Sequence, residues 1–116
     1  MAMSYCPWRS PSQIRDYLHV SDLVKGHLDA IRLLDITDGL FTLNLGLGIG
    51  QSVFDVISAY EYISGISIPT EVVSRRVGDI GVSYADVSEA VRVINWQPKK
   101  TLFDMCSDSF RSCSRI

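Results

Sequence analysis

Arg15-Asp16-Tyr17-Leu18-His19-Val20-Ser21-Asp22-Leu23 is the stretch on which the fold turns. Tyr17–Val20 is short and mostly apolar, which suits an extended segment. Ser21 then offers a hydroxyl to the first unpaired amides of a helix. Asp22 places negative charge in the first turn, where the helix dipole favours it. Val24, Leu28, Ile31 and Leu34 follow at spacings of three and four, so an amphipathic helix is expected over residues 22–35.

Downstream, Gly39 breaks this period, and Phe41-Thr42-Leu43-Asn44-Leu45 alternates as a strand does. Ser52 is placed to cap a second helix whose apolar stripe is Val53, Val56, Ile57, Tyr60 and Ile63, with Gly65 as its stop. Thr70–Ser74 is a further strand candidate. Asp86 and Glu89 have capping-box spacing before Ala90, Val91 and Ile94, which predicts a short helix. Pro98 enforces a break, and Thr101 caps a last helix with Leu102, Met105, Cys106 and Phe110 on one face. Upstream, Met1–Gln13 has no period and carries Pro7 and Pro11. Residues 1–14 therefore read as an irregular leader and 15–116 as the folded unit. The expected fold is a small mixed α/β lobe with a few short strands and about four helices. It has too few strands for the six-stranded sheet that binds dinucleotides.

At 116 residues the chain suits one domain able to bury roughly two-thirds of its unfolded surface. Apolar residues at 47% and charged ones at 21% are globular proportions. A net charge of −2 gives no electrostatic footprint for nucleic acid or an anionic membrane. No apolar run approaches the roughly 20 residues of a membrane span, and the first ten residues lack the apolar stretch of a secretory signal. Cys6, Cys106 and Cys113 are an odd number without CxxC spacing, which suits reduced thiols and a cytoplasmic location. His19 and His27 have no third ligand at a metal-like spacing, so no metal site is expected.

Gly46-Leu47-Gly48-Ile49-Gly50 lies between a predicted strand and a predicted helix, the setting of a pyrophosphate-binding turn. Its third glycine is one residue early, and the only acid near the ribose position is Glu71. A structural turn is the better reading: the glycines permit positive φ, and Ser52 caps the helix start.

Four motifs occur in a fixed order. They are the 15–23 stretch; Asn44-Leu45-Gly46-x-Gly48-x-Gly50-x-Ser52-Val53; Arg75-Arg76-Val77-Gly78-Asp79 followed by Tyr84-Ala85-Asp86; and Asn95-Trp96-Gln97-Pro98 with Thr101-Leu102. In order and spacing, from about Arg15 to Arg111, they resemble the C-terminal substrate-binding part of the UDP-galactose (UDP-glucose) 4-epimerase family, within the extended short-chain dehydrogenases/reductases. The leader does not match what precedes the first motif in that family. The Gly78-Asp79…Tyr84-Ala85-Asp86 pattern sets the chain nearer the epimerases than the nucleotide-sugar 4,6-dehydratases, the alternative ancestor.

The resemblance implies a substrate site. Arg15 and Arg76 match positions that grip the nucleotide-sugar diphosphate, a task suited to the planar guanidinium. Tyr17 matches a residue lining the same site, Asp79 one that accepts hydrogen bonds from the uridine ribose, and Ser83 one that borders the sugar. A small residue at Ser83 leaves room for an acetamido group, which extends the expected substrates to UDP-N-acetylhexosamines. The alternative for Arg76 and Asp79 is a surface ion pair. The family's reaction inverts C4 of a UDP-hexose with NAD and a Tyr-x-x-x-Lys pair. Tyr5, Tyr17, Tyr60, Tyr62 and Tyr84 all lack a Lys four residues on, and no nucleotide-binding unit opens the chain.

No catalytic residue and no bound cofactor are therefore expected in this chain. The expectation is a truncated epimerase of galactose metabolism, inactive alone, that holds UDP-sugar weakly. It would also be prone to self-association through the face that meets a cofactor domain. The alternative is a standalone UDP-sugar-binding or protein-interaction module. An unrelated enzyme built on Asp79 and Asp86 has nothing beyond those carboxylates in its favour.

Overall fold

A computed structural model describes residues 3–5, 13–73 and 77–114. Its elements, in chain order, are β1 (Met3–Tyr5), β2 (Ile14–Arg15), α1 (Val20–Ile36), β3 (Gln51–Ser52), α2 (Val53–Ser64), β4 (Thr70–Val72), α3 (Ser88–Ile94) and α4 (Leu102–Cys113). This is the expected small mixed α/β lobe with four helices and without a complete dinucleotide-binding sheet. β1 pairs with β4 in parallel and β2 with β3 antiparallel. A parallel bridge joins Ile14 to Val82.

Two helix starts are built as their sequences dictate. Ser52 and Asp55 form a reciprocal capping box on α2, and Thr101 and Asp104 form one on α4. Gly65 ends α2 in the left-handed conformation, where a Cβ would be strained. The apolar stripes of α2 and α4 face each other. Ile57, Ala59 and Cys106 are buried there, and Tyr60 meets Phe110 edge-on at 6.1 Å between ring centres.

The start of α1 differs from expectation. The cap is His19, not Ser21: its Nδ1 accepts the Ser21 amide at 3.1 Å and the Ser21 hydroxyl at 2.6 Å. An accepting Nδ1 assigns the ring proton to Nε2, which faces Asp108 Oδ2 of α4 at 2.7 Å. One buried imidazole thus caps α1 and ties it to α4. The start of α3 also differs. Val87 occupies the cap position without a side-chain bond, and Glu89 turns outward to Arg92. Asp86 serves Ser88 instead, accepting its amide at 3.0 Å and its hydroxyl at 2.7 Å. These bonds, hydroxyl first, hold the Asp86 carboxyl below its ordinary pKa.

Residues 41–45 do not form a strand, and among the described residues no strand pairs with them. The apolar stripe of α1, with Val24, Leu28, Ile31 and Leu34, is largely exposed.

The Asn95-Trp96-Gln97-Pro98 motif has a structural explanation. Asn95 takes the left-handed conformation that ends α3. Trp96 is fully buried, and its indole N–H donates to the Asp22 carbonyl at 2.9 Å. The Asp22 carboxylate, also buried, accepts the amides of Lys99 and Lys100 at 3.1 and 2.9 Å. Trp96 reaches α1 because Gly26 is there: a Cβ on Gly26 would stand 3.2 Å from the indole nitrogen and 2.6 Å from Leu45.

Candidate functional site

The site is organised by Asp16, which sequence reading passed over. Its carboxylate accepts three backbone amides from two distant segments: Leu47 at 2.8 Å, Gly48 at 3.0 Å and Ala85 at 3.1 Å. Gly46 lies so close to this carboxylate that a Cβ would collide with it, and Gly48 needs φ +76° to aim its amide. The glycine-rich turn is therefore a cradle for an internal anion. Its Leu47 and Gly48 amides are already used, and the capping box uses those of Ser52 and Asp55 at the start of α2. These residues do not fit a dinucleotide pyrophosphate, and the structural reading of the turn is the one the geometry bears out.

Around this clasp, β2 is held on both sides. Ile14 and Arg15 pair with Ser52 and Gln51 of β3, while Ile14 N donates to the Gly81 carbonyl and Ser83 N to the Ile14 carbonyl. That register brings Arg15 and Ser83 to one open, polar hollow of about 410 Å³, which Asp16, Asn44, Tyr84 and Asp86 also line. The Arg15 guanidinium donates to the Ile14 carbonyl at 2.7 Å and to Gln13 Oε1 at 3.4 Å. Both acceptors are neutral, and among the described residues no carboxylate lies within ion-pair distance of Arg15. Gln13 also donates from Nε2 to Asp79 Oδ2 at 2.9 Å, so one amide side chain links Arg15 to Asp79.

Tyr17 lines a different hollow, an apolar one of about 660 Å³ between α2, α4 and residues 66–69. Burial pushes its phenol pKa up, and the charge of Arg15 partly opposes that rise. Of the five residues singled out from sequence, then, Arg15, Asp79 and Ser83 are drawn together and Tyr17 stands beside them. Arg76 lies outside the described residues. Asp16 and Gln13 had no signal of their own, since their partners are 31 to 69 residues away. Among the described residues no cluster of His, Cys, Asp and Glu could hold a metal ion, and no helix is long and apolar enough to cross a membrane.

No protein-family model matches the sequence. Individual proteins do. UDP-glucose 4-epimerase of Bacillus subtilis is 39% identical over 105 residues, which cover 90% of this chain and 31% of that protein. The structure of UDP-glucose 4-epimerase from Bifidobacterium longum, in complex with NAD+ and UDP, matches with a TM-score of 0.87 at 38% identity. It covers 98% of this chain and 35% of its own. The chain belongs to the UDP-glucose 4-epimerases of the extended short-chain dehydrogenase/reductase family, as a C-terminal part. It spans about 30% of the length of the epimerases it matches in sequence. The UDP-Glc/GlcNAc 4-epimerase of Campylobacter jejuni is also similar, with a TM-score of 0.83 at 30% identity over 99% of this chain and 36% of that one. Within the 15–23 and 95–98 motifs, Asp16, Asp22 and Trp96 hold the packing.

Proposed function

We propose that this chain supplies the nucleotide-sugar-binding part of an epimerase that inverts C4 of a UDP-hexose with NAD. The observation that carries this reading is the linkage of Arg15, Gln13, Asp79 and Ser83 on the backbone of a chain belonging to the epimerases. In this reading Arg15, joined by Arg76, grips the diphosphate through charge-assisted bonds. Asp79 accepts from the ribose hydroxyls and Tyr17 lines the same site. Ser83, exposed on the polar hollow with a short side chain, borders the sugar and leaves room for an N-acetyl group. The work of these groups is binding and orientation. The chain has no Tyr-x-x-x-Lys pair to move a proton, so it turns over no substrate alone. Galactose metabolism and a cytoplasmic setting belong to the same reading. Without a partner, the open apolar surface of α1 makes weak association with itself the default at high concentration.

Calorimetry with UDP tests this. Two exposed guanidinium–phosphate contacts leave little after the cost of association, so a Kd of about 1 mM, near −4 kcal/mol, is expected. Arg15→Ala should abolish the heat. Micromolar affinity would favour a standalone UDP-sugar module, and no heat with the native chain would remove the binding role.

A further inference from the structure

We infer that the Gln13 side chain is an internal stand-in for the nucleotide: in the resting chain its amide occupies Arg15 and Asp79 together, and UDP binds by displacing it. This device belongs to the site of the UDP-sugar reading and rests on that reading.

The chemistry of the bridge is complementary at both ends. A guanidinium only donates and an ionised carboxylate only accepts. The Gln13 amide meets each with the matching atom: Oε1 accepts from Arg15 Nη2 at 3.4 Å, and Nε2 donates to Asp79 Oδ2 at 2.9 Å. Partners of fixed sign decide which end of the amide is oxygen. A nucleoside diphosphate offers the same pair to the same two side chains. A phosphate oxygen is its acceptor for Arg15, and a ribose hydroxyl is its donor for Asp79.

Neither partner depends on the bridge for its place. Arg15 Nη1 donates to the Ile14 carbonyl at 2.7 Å, a much shorter contact than the one to Gln13. The segment that carries Asp79 is tied to β2 through the backbone. Ile14 N donates to the Gly81 carbonyl at 2.9 Å, and Ser83 N to the Ile14 carbonyl at 3.0 Å. Ile14 also pairs with Ser52 of β3. These bonds fix the backbone beside Gln13 and leave its long side chain free to turn about its own bonds. The amide can swing out while β2 keeps its register.

Charge decides the direction of the exchange. The amide is neutral, and so is the Ile14 carbonyl. Among the described residues no carboxylate lies within ion-pair distance of Arg15. A diphosphate therefore gains charge-assisted bonds that the amide cannot match. The hydrogen bonds that hold Gln13 have a modest net worth, so the bridge lowers affinity without closing the site. The polar hollow reaches Arg15 and Ser83 but not Asp79. With the amide swung away, the Asp79 carboxylate joins the groups open to a ligand held at Arg15.

Because the stand-in rests on the UDP-sugar reading, its test separates the two. Calorimetry compares UDP binding by the native 116-residue chain and by Gln13→Ala, with circular dichroism as the check on folding. Removing the competitor should tighten UDP binding about three- to tenfold, the equivalent of an ordinary net hydrogen-bond contribution. A bracing role for Gln13 predicts the reverse, since Arg15 and Asp79 would lose their alignment. A second measurement needs no variant. In NMR titration of the native chain with UDP, the Gln13 side-chain amide signals should move toward those of a solvent-exposed glutamine as the site fills. If the variant misfolds, this titration decides alone. Gln13 signals that stay fixed while UDP binds overturn the stand-in, as does a folded Gln13→Ala chain that binds UDP equally or more weakly; both leave the UDP-sugar reading in place. If UDP gives no heat with either chain, that reading fails and the stand-in falls with it.

Discussion

Asp16 stands between Arg15 and Tyr17, the two residues of its motif that were singled out for ligand binding, and has the more demonstrable task. It gathers three amides from the glycine turn and from Ala85, which would otherwise lack partners in a partly buried corner. Removing a charged acceptor strands those donors at a cost of 1–3 kcal/mol or more. Asp16→Ala should therefore lower unfolding stability by about 2–4 kcal/mol in urea titration, with Asp16→Asn losing less because one carbonyl oxygen remains. A loss under about 0.5 kcal/mol, the range of ordinary surface substitutions, would show that the clasp is incidental. At this scale the tasks of Asp16, Gln13 and His19 were not legible in the sequence, because each acts on a partner far along the chain. Asp22 was read as a first-turn charge, and it is one, but its larger role is to hold residues 99 and 100.

The elements whose ends are local were read most accurately. Ser52 and Thr101 cap helices as expected because the partner of each lies three residues on. On α4, the Thr101 amide and then its hydroxyl hold the Asp104 carboxyl below the ordinary carboxylate range. A depressed folded pKa gives stability that is present above the unfolded value, near 4, and is lost as pH falls through the folded value. The melting temperature should thus fall as pH drops below about 4, and Asp104→Asn should flatten part of that fall. An unchanged acid limb in the variant would remove Asp104 from the account. Where a partner is tertiary, an element end shifted: His19, held by Asp108, displaced Ser21 as cap. At α3 a local competitor won instead, because Asp86 accepts from Ser88 two residues on. Residues 41–45 have the pattern of a strand without the neighbour that would make them one.

Across the whole molecule, burial is uneven. Ile57, Ala59 and Cys106 are buried on α2 and α4, and Ala90 and Trp96 where α3 and its following turn meet α1, while α1 keeps a wide apolar arc open. Opening free energies should follow burial. Native-state hydrogen exchange should find the most protected amides in α2 and α4, and faster exchange along α1 and through 40–45. Equal protection in α1 and α2 would contradict this distribution.

By itself, the order of apolar periods, caps and breaks determined four helices, short strands and an epimerase-like lobe, because those signals act over a few residues. Only the tertiary structure decided which groups line the polar hollow and which hold the chain together. A carboxylate or an imidazole takes its role from the partners brought to it: the amides on Asp16 and Asp22, and the Asp108 carboxylate beside His19, arrive from parts of the chain that only folding brings near.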